Sequence, residues 1–593
     1  MVNLLRLSAP LSLLTAALYC QFATAAICTD SFTAIEDIQG NSNVSPLVGK
    51  QVSTRGVVTA QLYPGSKMAG VVLRASTHAN SDASSSVFIA NAEAATQYQP
   101  GQILQVTGTV TELQHFTSLS DISNITLCGG NADVAPIAVK LPLAQLSDWE
   151  KLEGELVRFE QTLTVNDTYD LGRYGEITLA DARLKVATEV MQPGPQAAAL
   201  ATQQQLHLVV LDDGLLKQNP DPVTFAGKTL TAATTLRVGD TLSQVEGIVV
   251  QDDRGYRIVP SRQPVYSAQN PRPENPVAKP ANALRIASFN VLNFFNGSGH
   301  TPAFPTQRGA DTAAEFERQQ AKIITALAAL DADVIGLLEV ENNGYEQHSA
   351  LASLTTALNK ASAKPYRFII TSEQPGDDAI KVAMLYRPSS VSVEGKAAML
   401  LAKPFDWGSR PPLAQSFRHL ASNELVTVSI NHFKSKGSCP KDAASADADQ
   451  QDGQGCWNAL RTTSAKALSD WLRSQPTGVK TDKQIILGDL NAYRMEDPIQ
   501  MLTSNDWQYL KAAEGNSYSY VYRGRTGSLD HALASPTLAK QLLNMQHWAI
   551  NADEPTLLDY NTEYKSEAQQ QLLYAPTPYR SSDHDPLLAT FQF

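Results

Sequence analysis

The sequence predicts a multidomain protein in which two small all-β modules precede a larger α/β domain. Three observations carry that expectation. Between Phe32 and residue 268, short runs rich in Val, Ile and Thr recur with Gly and Pro between them, the spacing of strands in a small barrel or sandwich. From Pro264 to Pro280 five prolines stand among few apolar residues, which reads as an extended linker. Beyond it, apolar strands alternate with helical stretches, the pattern of an α/β domain. At 593 residues the chain is in any case too long for one core.

Residues 1–26 carry one Arg, an apolar run from Leu11 to Leu18 and a small-residue end, Ala23-Thr24-Ala25-Ala26. That is the plan of a secretory signal peptide, so the protein is expected outside the cell, after periplasmic transit where there is a periplasm. Tyr19 before Cys20 argues against a lipoprotein anchor, and no later run of about 20 apolar residues is available to span a membrane. Cleavage leaves Cys28, Cys128, Cys439 and Cys456, an even number in an oxidising compartment. Their spacings match no zinc pattern. Disulfides are expected, and of three connectivities Cys28 with Cys128 and Cys439 with Cys456 is the most local. The formal charge of -12 becomes one unit more negative when Arg6 is removed. A chain this acidic is not held to a polyanion by its global field, so such a partner must be gripped by a local basic patch or through metal ions.

Residues 27–131 hold the first β-module, with strands at Gln51 to Thr59, Gly70 to Leu73, Ser86 to Ile89 and Ile103 to Val110. Residues 132–268 repeat the theme. Gly101-Gln102 before a strand through Gly108, and Gly239-Asp240 before a strand through Gly247, look like one element used twice. Both modules resemble OB-folds, five-stranded barrels that often bind nucleic-acid strands. Tyr63, Lys67 and Arg74 are the first module's candidates for a stacking groove; the alternative is that they serve the core.

After the linker at 269–280, the α/β domain occupies 281–593. Its clearest helices are Glu315 to Leu330 and Asn458 to Leu472, each with an apolar stripe on one face. Five strands end in polar chemistry. Leu284 to Asn293 holds Asn290, and Val334 to Glu339 ends in a carboxylate. Leu425 to His432 ends in an imidazole followed by Lys434 and Lys436. Gln484 to Leu487 leads into Gly488-Asp489-Leu490-Asn491, and Ser581-Ser582-Asp583-His584-Asp585-Pro586 precedes the last strand. Each alone has a structural explanation as a cap or a satisfied loop residue. Together, so many buried polar groups would be costly without a shared chemical purpose.

The order Asn, Glu, Asn-His, Gly-Asp-x-Asn, Leu-Asp-His and Ser-Asp-His-Asp-Pro resembles the endonuclease/exonuclease/phosphatase superfamily, whose DNase I-like fold packs two β-sheets between helices in four layers. The Asn290-Val291-Leu292-Asn293, Asn431-His432-Phe433-Lys434-Ser435-Lys436-Gly437 and Gly455-Cys456-Trp457-Asn458 segments further resemble secreted bacterial ExeM-like extracellular nucleases. The resemblance implies that Asn290 and Glu339 hold a divalent cation, Mg²⁺ with Mn²⁺ or Ca²⁺ as alternatives, and that Asp583 approaches a second one. Asp489 would orient or deprotonate the attacking water, and Asn491 would grip a phosphate oxygen. His432 would stabilise the developing negative charge or assist the leaving oxygen, and His584 would pair with Asp530. Lys434, Lys436 and Arg461 would be phosphate contacts, with solvated surface as the alternative for each. The roles of Asn293, Glu341, Asn342 and Arg387 stay open; Arg387 either joins the pattern or bridges strand to turn. The acidic loop bearing Asp442, Asp447, Asp449 and Asp452 follows no EF-hand register.

The activity expected is metal-dependent hydrolysis of extracellular DNA, with RNA as a further substrate, little sequence preference and a monomeric protein. A secreted phosphatase or sphingomyelinase-type phosphodiesterase is the alternative, and a non-catalytic β-module binding protein is the second.

Overall fold

The computed structural model describes residues 28–29, 31–76, 82–299, 303–512 and 517–593. The segment read as a signal peptide lies outside the described residues. Both expected disulfides are formed, Cys28 to Cys128 and Cys439 to Cys456.

In the first module, strands Gln51–Leu62, Gly70–Arg74, Ser86–Ile89, Ile103–Leu113 and Phe116–Gly129 close into a barrel in the order first, second, third, fifth, fourth. The first strand makes the closure. Its Gln51 to Val57 half pairs with the fourth strand and its Val57 to Leu62 half with the second.

The second module has the same topology with two of its strands broken. Leu156–Phe159 and Leu163–Asp167 together take the place of the first strand, and Thr241–Ser243 and Glu246–Asp252 together take that of the fourth. Leu163–Asp167 pairs with Ile177–Ala180 and Leu156–Phe159 pairs with Glu246–Asp252. Leu208–Leu211 and Gly255–Pro260 run parallel, as the third and fifth strands of the first barrel do. Its sheet is therefore nine-stranded, with short strands added at both ends, rather than a plain five-stranded barrel. The repeated glycine element is real at the level of hydrogen bonds. The Gly101 amide donates to Val58 and Val58 to Gln102, while the Gly239 amide donates to Val165 and Val165 to Asp240. The left-handed φ of Gly101 and Gly239, 91° and 96°, makes that turn.

The groove expected in the first module is occupied by protein. Val72 and Phe88, on the outer face of its second and third strands, pack with Phe116 against Leu156, Ile248, Val250 and Val259 of the second module. Arg74 donates to the Ala135 carbonyl and pairs with Glu155 of the second module at 3.1 Å, and Tyr63 packs against the same cluster. Lys67 remains exposed. This face is used as an interface because successive strand residues point to opposite faces, so the apolar runs Val71-Val72-Leu73 and Val87-Phe88-Ile89 must bury both.

The Pro-rich segment is extended, as its prolines require, yet it is not free. Arg272 donates to Glu554 and to the Ala232 carbonyl, and Asn270 to Val238 and Asp553. It works as a strap between the second module and the α/β domain.

In that domain two six-stranded sheets pack face to face. Val334, Leu338 and Ile286 of one meet Val428, Ile430, Ile485 and Leu487 of the other in a fully buried core. Helices Ala313–Ala329 and Ala350–Ala361 cover one sheet, and Asn458–Arg473 and Asp497–Thr503 cover the other, which gives four layers. Thr312 starts the first of these helices by accepting from the Glu315 amide, while the Glu315 carboxylate accepts from the Asp311 amide.

Candidate active site

Strand register places the site. In the second sheet, Leu425–His432 runs parallel to Gln484–Asp489 with His432 opposite Asp489, and Asp489 stands opposite Asp530 on the antiparallel strand Asp530–Ala534. Three strand ends thus set His432, Asp489 and Asp530 in one row. In the other sheet, Leu284–Phe294 and Val334–Glu341 run parallel with Asn290 opposite Leu338, so Asn290 and Glu339 are neighbours across the strands. Gly488 permits the close approach. At its φ of 131° an added Cβ would lie 2.0 Å from the Asn431 carbonyl oxygen, a clash no side chain survives.

The side chains converge between the sheets. Asn290 donates its amide to Glu339 Oε1 at 3.1 Å, and the Asn293 amide donates to Glu339 Oε2 at 3.0 Å. Glu339 itself holds a φ of 63°, an uncommon conformation that costs about 1–3 kcal/mol and persists where the surroundings enforce it. His584 Nδ1 lies 2.7 Å from Asp530 Oδ2, and its Nε2 faces Asp489 Oδ2 at 3.9 Å and Asp583 Oδ2 at 4.0 Å. His432 Nε2 stands 3.7 Å from Asp489 Oδ2 and 4.0 Å from Glu339 Oε1. Asn491 donates to the Phe433 carbonyl at 3.1 Å, and its own amide N–H donates to Asp489 Oδ1. The two histidines and Asp489 therefore surround one point, with Glu339 and Asn290 across from it.

Burial and charge give the two imidazoles opposite states. Burial alone would lower the His584 pKa, but Asp530, Asp583 and Asp489 hold it well above the usual histidine range. His432 is pushed well below that range by burial and by Arg410, His584 and Arg308. The imidazolium of the site is His584, while His432 is neutral. Burial raises the Asp489 carboxyl to about 7 against the lowering effect of His584, with Asp530 and Glu339 adding like-charge repulsion. Glu339 is raised by burial and by Asp583.

Two expected phosphate contacts are corrected. Lys436 is half-buried, with its ammonium on Glu496 Oε2 at 2.5 Å and the Gln454 carbonyl, and desolvation lowers its pKa to about 8. Arg461 is fully buried and donates to the carbonyls of Lys434, Gln454 and Cys456. Both fasten the loop after His432 from behind, because a desolvated cation needs fixed acceptors. Lys434 is partly exposed and donates to the Ser435 and Gly437 carbonyls. Arg387 pairs with Asp331 at a turn, its bridging alternative. The acidic loop spends its carboxylates on nearby amides, Asp447 on Leu460 and Asp449 on Gln451.

Sequence reasoning missed Arg410, whose Nη1 lies 3.5 Å from His432 Nε2 and whose Nε pairs with Asp378 at 3.1 Å. Arg308 pairs with the same Asp378 at 3.3 Å. It also missed Tyr520, whose ring centroid is 4.7 Å from that of His584. No local signal marks them, since Arg410 reaches the site only by pairing opposite His432 on an antiparallel strand.

The second β-module also supports this centre. Arg237, itself buried, donates to Glu554, to Asp553 at 3.2 Å and to the Ala549 carbonyl. Three residues back, Asn551 donates to the His584 carbonyl and accepts from the Ser581 and Ser582 amides. On the other side, Glu189 of the module accepts from the Ser528 amide, two residues before Asp530.

Among the described residues no group of three or more His, Cys, Asp and Glu side chains stands ready to hold a metal. Glu339, Asn290 and the nearby Asp583 nevertheless fit a Mg²⁺ ion. The carboxylates of Glu339, raised by burial and then by Asp583, and of Asp583 are hard oxygen donors, Asn290 stands beside them with its amide nitrogen on Glu339 Oε1, and Mg²⁺ takes one or two carboxylates while keeping several waters.

A family model described as the endonuclease/exonuclease/phosphatase family matches residues 287–584, and a model of a domain of unknown function, DUF8508, matches residues 145–270. Among solved structures, the human Nocturnin catalytic domain is 16% identical and covers 53% of this chain and 96% of its own, with a TM-score of 0.34. An endonuclease/exonuclease/phosphatase family protein from Bacteroides thetaiotaomicron is 15% identical over 52% of this chain and 98% of its own, with a TM-score of 0.34. A humanized D. rerio TDP2 is 14% identical over 53% and 100%, with a TM-score of 0.33. No curated protein matches the chain. The matched span runs from the strand of Asn290 to His584 itself, and the chain belongs to the endonuclease/exonuclease/phosphatase family.

Proposed function

We propose that the protein is a secreted, divalent-metal-dependent nuclease that hydrolyses phosphodiester bonds of extracellular DNA, and of RNA where it meets it, with little sequence preference. The observation that carries this reading is the convergence of the His584–Asp530 pair, Asp489 and His432 on one point facing Glu339 and Asn290. Phosphodiester hydrolysis needs an in-line water, neutralised non-bridging oxygens and help for the leaving oxygen.

Glu339, with Asn290, would hold Mg²⁺, which when bound supplies Lewis-acid polarisation of a phosphate oxygen. Asp489, raised toward neutrality, accepts a proton from the attacking water. His584, kept charged by Asp530, donates toward the phosphate. Neutral His432, flanked by Arg410, offers a hydrogen bond to the developing oxyanion. The remaining amide hydrogen of Asn491 does the same, its first being fixed on Phe433. Little sequence preference is expected because phosphate contacts carry no sequence information.

The test incubates the mature chain with plasmid, linear DNA, RNA, sphingomyelin and a phosphomonoester, in Mg²⁺, Mn²⁺, Ca²⁺ or chelator. Metal-dependent loss of DNA supports the reading. Turnover of the lipid or the monoester with both nucleic acids intact would overturn it.

A further inference from the structure

Beside the catalytic centre the structure exposes an aromatic pair that no phosphate chemistry requires. Trp407 is 58% exposed, and its ring centroid lies 5.1 Å from that of Trp457, at an interplanar angle of 54°. Lys434 sets its ammonium 5.2 Å over the Trp457 ring. The pair is built in. Trp457 holds a left-handed backbone, φ 66° and ψ 20°, a conformation bulky residues seldom adopt and one that accumulates at functional sites. Its amide donates to the Asp447 carbonyl at 2.7 Å. The indole Nε1–H donates to the carbonyls of Gly437 and Ser438 at 3.0 and 3.1 Å, which turns the polar edge inward. The preceding Cys456 is tied to Cys439.

The pair is adjacent to the reacting groups. Lys434 follows His432 by two residues, and its amide donates to Ser409 Oγ at 3.0 Å. Trp407 precedes Arg410, the guanidinium beside His432, by three residues. Three residues span at most about 11 Å, so the indoles lie within a few nucleotides of a phosphate held at His432.

We propose that Trp407 and Trp457 form a stacking platform for an unpaired nucleobase flanking the scissile phosphate, with Lys434 taking the neighbouring phosphate. This rests on the nuclease reading above and deepens it, since it names the substrate form. A base inside a duplex has both faces covered, so an indole can take one only from a single strand, a frayed end or a flipped nucleotide. Charge agrees: Lys434, Arg410 and Arg308 lead from the platform to the centre. The exposed residues next to Trp407 in the chain include Lys403 and Asp406 beside Leu401, so charges flank the indole where insertion into a lipid surface would call for a wholly apolar tip.

Binding of a fluorescein-labelled oligothymidylate to the full mature chain in chelator, read by anisotropy, tests the proposal with Trp407→Ala, Trp407→Leu and Trp407→Phe. Trp407→Ala and Trp407→Leu should weaken binding by about tenfold, within the range alanine substitution of stacking aromatics produces, and Trp407→Phe should restore most of it. Wild type should also prefer the single strand over a blunt duplex of the same length. Melting temperatures within a few degrees of wild type keep the comparison valid at this exposed position, and Lys434→Met, which leaves both indoles, should weaken binding too. Leucine binding as well as tryptophan, or alanine without effect, would overturn the platform. So would loss of sedimentation with phosphatidylcholine–sphingomyelin vesicles while oligothymidylate binding is unchanged, which would assign the pair to membranes. Failure of wild type to bind or cleave any nucleic acid defeats the nuclease reading itself. Cleavage by wild type with equal binding by all variants defeats only the platform.

Discussion

Arg237 of the second β-module places its guanidinium 3.2 Å from Asp553 of the α/β domain, and both are buried. With Glu554 on the other nitrogen, one residue outside the catalytic domain holds the loop that carries Asn551 and, through it, the backbone of Ser581 to His584. Arg237→Met should leave two buried carboxylates short of their partner and cost about 3–5 kcal/mol, as breaking buried pairs does. Urea denaturation measures it. Unchanged stability would show that Arg272, which also binds Glu554, suffices alone.

Where the two β-modules meet, Glu153 is buried and accepts from the Thr117 amide at 3.0 Å. Burial, with Glu150 and Glu112 nearby, raises its carboxyl from 4.5 to about 8. The folded chain then keeps a proton that the unfolded chain releases, so this residue's contribution to stability falls as pH rises from about 4.5 to about 8. Glu153→Gln retains an oxygen for Thr117 and carries no charge. Thermal melts of the variant and wild type should coincide near pH 5, with the variant higher at pH 8.5. A lower melt for the variant at pH 8.5 would contradict the assignment.

The charged state of His584 depends on Asp530. Asp530→Asn keeps the shape of the 2.7 Å contact and removes its charge, so hydrolysis should slow by about 10²- to 10⁴-fold, the usual worth of a positioned proton donor. A pH–rate profile should show the alkaline limb, where the imidazolium loses its proton, moved to lower pH. An unaltered profile would mean that Asp583 and Asp489 hold the proton by themselves.

Reduction of Cys439–Cys456 frees a loop of about 17 residues, worth about 3 kcal/mol in loop closure. Lys441 lies inside it, so trypsin should cut there first after reduction, and oligothymidylate affinity should drop as Trp457 loosens. Identical cleavage patterns with and without reductant would show that the Asp447 and Gln454 hydrogen bonds hold the loop unaided.

What the sequence revealed and what it hid follow from where the information lies. Apolar runs ending in Asn290, Glu339, His432 and Asp489 are local patterns, and the register of parallel strands brings those ends together. The disulfides followed from parity and separation. Lys436 and Arg461 misled because a basic residue close to His432 reads the same whether it faces a phosphate or is tied to a carboxylate and carbonyls behind it. The state of His432 was hidden as well, since it depends on its burial between the sheets and on Arg410, His584 and Arg308 arriving from distant strands and loops. In the first module, Tyr63 and Arg74 were candidates for a substrate groove because nothing local marks the partner that covers them, which lies more than 60 residues away in the second module.

Asp489 is the most direct test of the whole account. Plasmid hydrolysis in Mg²⁺ should be rapid for wild type and should stop with chelator. Asp489→Asn, isosteric and set on the same strand end, should be at least about 10²-fold slower with an unchanged melt. Asp489→Asn cleaving plasmid at the wild-type rate, or wild-type cleavage that ignores chelator, would contradict a metal-dependent nuclease centred between Glu339 and His584.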